Sequence, residues 1–151
     1  MDYREFLVFR LANEEYAIDV LKIQEIKHYE TAVIIANAPE FIKGFMNTRE
    51  AVIPLIDMRI LFHLPYHDYD KFTVVITLAL EKQRLLGIVT DGVIDVIKLT
   101  ADQVKTTPEF STIIHSDYIQ GIGLIDKRNI ILVDIEKLCS SFSVIVDKLS
   151  S

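Results

Sequence analysis

His63, His67 and Asp68, in FHLPYHDYD, are the residues best spaced for chemistry, since two imidazoles four positions apart beside a carboxylate are the types that hold zinc. Such a pair shares a face only on a helix, and Pro65 between them interrupts a regular one. The segment therefore reads as a solvated loop, and a metal-dependent enzyme is the remote alternative. His28 and His115 stand apart from any cysteine or carboxylate cluster, and the serines of CSSFSV, Ser111 and Ser116 lack a Gly-x-Ser-x-Gly elbow. GIG at Gly121–Gly123 lacks the rest of a dinucleotide fingerprint. No catalytic residue, metal ligand or cofactor site is assigned, and the expectation is a protein that is not an enzyme. A different question is raised by Arg49–Glu50 in KGFMNTREAVIPLIDMR: an arginine fork that either braces the fold or waits for a partner.

Short β-branched segments with turn signals between them must position these groups: 5–11, 16–20, 51–56, 72–80, 84–90, 93–99, 118–125 and 129–133. Their spacing leaves no room for long crossover helices, so the fold class is all-β with short helices. One longer helix is expected over 135–149, where Ile135, Leu138, Cys139, Phe142, Ile145, Val146 and Leu149 follow helical periodicity behind Asp134 as N-cap. Cys139 lies on the apolar stripe and reads as a packed thiol.

Laying Phe41–Phe62 over Tyr118–Cys139, a constant shift of 77, matches Ile42/Ile119, Gly44/Gly121, Leu55/Leu132, Asp57/Asp134 and Leu61/Leu138. FLVFRLA with TVVITLA and YAIDVLKIQEI with LGIVTDGVIDV align in the same order. The expectation is a duplication: two β-subdomains, about 14–70 and 72–134, tied together by the first strand and the last helix. Gly44 and Gly121 are expected at a bulge or close backbone approach.

The net charge of −6, without a basic run, argues against a nucleic-acid or anionic-membrane surface. The single cysteine makes no internal disulfide, the N-terminus has no signal-peptide pattern, and no apolar run reaches the ~20 residues of a membrane span. A cytoplasmic protein with protein partners is expected.

From Glu5 to Leu138 the fragments FLVFRLANEEYAIDVLKIQEI, IANAPEFIKGFMNTR, VIPLIDMR, LLGIVTDGVIDVIKLTADQV, PEF and YIQGIGLIDKRNIILVDIEKL, in this order and spacing, resemble the CheW family of bacterial chemotaxis coupling proteins in its stand-alone form. The resemblance implies a pair of five-stranded SH3-like β-barrels without catalytic activity or cofactor. It implies a scaffold that joins the cytoplasmic tips of chemoreceptors (methyl-accepting chemotaxis proteins) to the regulatory domain of the histidine kinase CheA at membrane-associated arrays. Position by position, it implies receptor contact at Glu25, Asn47, Arg49, Gly87 and Val93, and kinase contact at Ile23 and Gly44. Asp91 and Gly92 fall at the edge of the same groove. Packing or turning is the larger expectation for Ile23, Gly87 and Gly92, partner contact for Glu25 and Arg49. The family's Asn-Leu-Arg-Gly is here Asn47-Thr48-Arg49-Glu50, so Glu50 is a candidate for altered specificity. If that glycine needs positive φ, the cost is about 1 kcal/mol or more. An adaptor for another kinase array, serving surface motility or second-messenger output, is the alternative Glu50 leaves open.

Overall fold

Alternating apolar residues fold the chain into short strands. The computed structural model describes residues 2–34, 36–47, 51–65, 67–106 and 118–141. Their elements are β1 (Arg4–Leu11), β2 (Glu14–Asp19), β3 (Ile23–His28), β4 (Ile42–Asn47), β5 (Val52–Asp57), α1 (Met58–Leu61), β6 (Val74–Ala79), β7 (Leu85–Thr90), β8 (Gly92–Leu99), β9 (Val104–Lys105), β10 (Ile119–Ile125), β11 (Arg128–Val133) and α2 (Ile135–Ser141). The eight segments read as strands are all strands. β3 and β4 were not among them: IQEIKH has mostly exposed residues, and IKGFMN carries a mid-strand glycine.

The strands form two sheets, ordered β8-β1-β2-β11-β10-β9 and β3-β6-β7-β5-β4. Under the duplication β1 to β5 correspond to β6, β7, β8, β10 and β11, so each sheet takes its first two strands from one copy and its last three from the other. The chain therefore does not divide into sheets at 14–70 and 72–134: β2 joins the sheet of β8 to β11, while β6 and β7 join that of β3 to β5. The first sheet has a sixth member because two-residue β9 pairs with β10.

The registers give the correspondence residue by residue. Ala17 faces Val8 and its counterpart Gly87 faces Thr77; Tyr16 faces Phe9 and Leu86 faces Leu78. Val8 thus matches Thr77, two residues from the register of FLVFRLA over TVVITLA. The bulges are duplicated too. Gln24 on β3 and Ile94 on β8 are the extra residues against β6 and β1, and Lys43 and Gln120 those against β5 and β11. Asp57 N and Asp134 N donate to Phe41 O and Tyr118 O, both at 2.7 Å.

At the bulges the expected role of the glycines holds. Gly44, at φ +139°, leaves no room for a Cβ against the carbonyl of Val33, and a Cβ at Gly121 would stand 2.7 Å from Lys105 O.

Each sheet has its own interior. Phe6, Val8, Ala17, Ile97, Leu99, Ile130 and Leu132 all come from the first sheet, which encloses them only by curling on itself. Ile53, Leu55, Val75 and Val89 do the same in the second, joined by Ala32. The opposite faces meet back to back in the largest cluster, around Phe9, Tyr16, Ile56, Phe62, Ile76 and Ile88, closed by Leu138 and Cys139 of α2. Asp134 caps α2, accepting from Lys137 N at 3.1 Å. The rest of the expected helix, 142–149, lies outside the described residues.

Candidate interaction surfaces

Two edge strands, β3 and β8, bound the seam between the barrels. Asp19, where the chain leaves β2 for β3, faces Phe6, and Phe6 faces Ile97 of β8. Thr90, which precedes β8, faces Val74, and Val74 faces His28 of β3. Asp19 and Ile97, and likewise Thr90 and His28, are thus about two strand spacings, ~10 Å, apart within their sheets. On the side of these strands turned toward the shared core lie Ile23, Ile26, Val93 and Val96, and the last three are 39–52% exposed. Leu21, in the turn leading to β3, is 88% exposed. The edge of the shared core is an apolar trough open to solvent.

Ion pairs hold both entrances. Asp91 accepts from Arg59 Nε at 2.8 and 2.9 Å and from Ala12 N at 2.7 Å, and both charged side chains are nearly buried. At the other entrance Lys22 Nζ meets Glu136 Oε2 at 2.9 Å, with both partly exposed. That hydrogen bond is the main cause raising the Lys22 pKa. Arg59 and Glu136 are duplicated positions, so the two pairs bind the same elements with reversed polarity.

The barrel rims differ. In the first barrel the interior lines end at Asp95, Arg10, Glu15 and Arg128. Arg128 spans the rim: Nη2 lies 2.6 Å from Glu15 Oε1 and 3.0 Å from Asp95 Oδ1, and Nη1 lies 3.1 Å from Asp95 Oδ2. Hydrogen bonds to Asp95 and Glu15 push its pKa above the usual range. The counterparts in the second barrel are Glu25, Ala79, Leu85 and Ala51. Glu25 is exposed and, among the described residues, has no ion-pair partner.

Of the residues singled out from sequence, Glu25 and Val93 are exposed on β3 and β8, and Asn47 is exposed at the end of β4. Within their sheet β3 and β4 are opposite edges. Arg49 and Glu50 lie outside the described residues. Gly87 offers no contact surface: it is buried, and a Cβ there would stand 2.5 Å from Leu55 Cδ2. Buried Gly44 permits its bulge, and Ile23 packs against the shared core. Asp91 is consumed by the Arg59 pair. The Arg128 clamp escaped sequence reading because its members are 33 and 113 positions apart; only register reveals them.

His63 and His67 line a cleft of about 970 Å³ together with Phe41, Ile60 and Leu64. The Tyr69 hydroxyl donates to Asp57, and Arg59 Nη1 donates to Pro65 O, fixing the intervening loop. Among the described residues no three His, Cys, Asp or Glu come together as a metal site, so His63, His67 and Asp68 do not form one.

Two strand-exchanged barrels with an exposed seam define a module of two SH3-like units built for contact. The chain belongs to the CheW family: the CheW-like domain model matches residues 5–143. It is 51% identical over 138 residues to the chemotaxis protein CheW of Klebsiella aerogenes, covering 91% of this chain and 82% of that one. It is 30% identical to a probable chemotaxis protein CheW of Rhizobium etli, over 91% and 88% of the two chains. The crystal structure of the scaffolding protein TtCheW from Thermoanaerobacter tengcongensis superposes with a TM-score of 0.81 at 27% identity, covering 87% of this chain and 89% of that one.

Proposed function

We propose that this chain is a chemotaxis scaffold that joins the cytoplasmic tips of chemoreceptors to the regulatory domain of the kinase CheA, without catalysing a reaction. Two relatives carrying the name chemotaxis protein and a structural neighbour called a scaffolding protein support the reading. The observation that carries it is the trough between β3 and β8. Ile26, Val93, Val96 and Leu21 present exposed apolar surface beside the shared core. A receptor tip is helical, and an amphipathic helix laid in an apolar groove is a recurrent mode of recognition. Glu25, Asn47 and Arg49 are the polar contacts in this proposal, and Glu50 is the position that tunes partner choice. No helix among the described residues is long and apolar enough to cross a membrane, and a place in the cytoplasm at receptor arrays belongs to the same proposal.

Calorimetric titration with a receptor-tip fragment, and separately with the CheA regulatory domain from the same genome, tests the reading. Binding to both is expected. Val96→Asp, which places a charge in the trough, is expected to abolish tip binding and leave kinase binding intact. A tip that binds Val96→Asp as it binds the parent protein removes the trough from the proposal.

A further inference from the structure

From β2 into its following edge strand the duplication matches Ala17 to Gly87 and the bulge residue Gln24 to Ile94, so Leu21 corresponds to Asp91. At one entrance to the seam that position is an acid turned inward: Asp91 is nearly buried and bonded to Arg59 Nε and Ala12 N. At the other entrance the ion pair sits one residue further on, between Lys22 and Glu136, and the position itself holds a leucine turned outward. Leu21 is 88% exposed, more than any other large apolar side chain among the described residues.

A lone exposed leucine is ordinary on a protein surface, but this one is held from both sides. Asp19 Oδ1 accepts from Leu21 N at 2.9 Å, while Asp19 Oδ2 accepts from Arg4 Nη2 at 2.7 Å. Lys22 Nζ donates to Glu136 Oε2 at 2.9 Å, and Val20 and Ile23 pack against the shared core. The turn Val20–Lys22 is thus pinned to β1, to α2 and to the core, and Leu21 is the side chain it presents.

We propose that Leu21 is a preset anchor for the receptor tip, an apolar knob that enters a hole between side chains of the tip's helices, and that Lys22 and Glu136 are positioning residues that aim it. Ordering a turn on binding costs affinity, so a turn already fixed retains the full gain from burying its leucine. Holes of this kind form where four side chains of a helix surround a gap, as in knobs-into-holes packing. Leu21 stands two residues before β3 and continues the exposed apolar surface of Ile26 and Val96, which assigns it to the partner that covers the seam. The inference deepens the scaffold reading and rests on it, since it names the shape the receptor tip must offer beside the face that covers β3 and β8.

Calorimetry on full-length variants tests it, with the receptor-tip fragment and the CheA regulatory domain as separate probes. Leu21→Ala is expected to keep the parent's unfolding transition and kinase affinity, and to weaken tip binding by about ten- to a hundredfold, as leaving a leucine-sized surface unburied would. Leu21→Met, similar in volume, is expected to retain most of the tip affinity. Lys22→Ala and Glu136→Ala are each expected to weaken tip binding by about two- to tenfold at an unchanged unfolding midpoint, and the double variant no further than either single one. A Leu21→Ala protein that binds the tip as the parent does overturns the anchor, and so does a loss confined to the kinase domain. Additive losses at Lys22 and Glu136 overturn the positioning role, because each would then touch the partner on its own. A parent protein that binds no tip ends the scaffold reading and the anchor with it. A tip that ignores Leu21→Ala but fails on Val96→Asp leaves the scaffold reading standing without the anchor.

Discussion

The two entrances to the seam carry ion pairs that differ in burial, and this yields a quantitative test. Arg59 and Asp91 are 11% and 12% exposed, Lys22 and Glu136 33% and 25%. Asp91→Ala leaves the Arg59 guanidinium facing a site it cannot leave without disturbing its bond to Pro65 O, and strips Ala12 N of its acceptor. Breaking a buried pair by removing one partner costs about 3–5 kcal/mol. Water still reaches about a tenth of each side chain, so we expect the low end, about 3 kcal/mol. Lys22→Ala and Glu136→Ala each leave a charge that water solvates, and exposed pairs contribute about 0–1 kcal/mol. Urea unfolding followed by circular dichroism reads the difference: a clear fall in midpoint for Asp91→Ala at unchanged m-value, and little change for the other two. Raising salt should shrink the already small effect at Lys22 and leave that at Asp91 nearly intact. Equal losses at the two entrances would refute the reasoning, since they would mean that burial is not what separates the pairs.

Thr77 is fully buried, its hydroxyl has no hydrogen-bond partner, and its counterpart in the other barrel is Val8. Thr77→Val is therefore expected to raise stability by about 1 kcal/mol, seen as a rise of roughly 2–4 °C in calorimetric melting, and a fall would show that the hydroxyl is satisfied. Gly44→Ala is expected to destabilise by more than 2 kcal/mol, because it combines unfavourable φ with a clash on backbone; a chemical-denaturation midpoint within error of the parent refutes this. Burial pushes the Tyr16 pKa up to about 12, so its phenolate is disfavoured in the fold. As pH rises from 10 toward 12 the unfolded chain loses this proton first, and stability falls by at most about 1.4 kcal/mol per pH unit from this group. Tyr16→Phe is expected to lose this part of the alkaline slope, and an unchanged difference between the two proteins across that range contradicts it.

The sequence was most legible where one residue type answers one local demand. Val, Ile and Leu at alternating positions gave the buried strands, Asp134 the start of α2, and the paired glycines their bulges. β3 escaped because an edge strand has only one neighbour and exposes most of its residues. The distribution of strands between the sheets was hidden for a different reason. A repeat in sequence shows that two copies exist, but not whether each copy pairs with itself. Nothing local distinguishes β2 beside β11 from β2 beside β5, because Leu55 and Leu132 offer the same side chain to Gly87 and Ala17.

That exchange also explains why the binding surfaces were only partly readable. The two edge strands at the seam each follow directly on a crossing between sheets: β3 after the turn at Val20–Lys22, β8 after Asp91. A strand entering a sheet at its edge has a free side, and both free sides face the same seam because the two crossings are duplicated. The trough is thus a product of strand exchange itself. Self-paired copies would lack these crossings, and with them the common seam. Ile26, Val93 and Val96 look in sequence like ordinary strand residues, and only their place beside the crossings leaves them exposed.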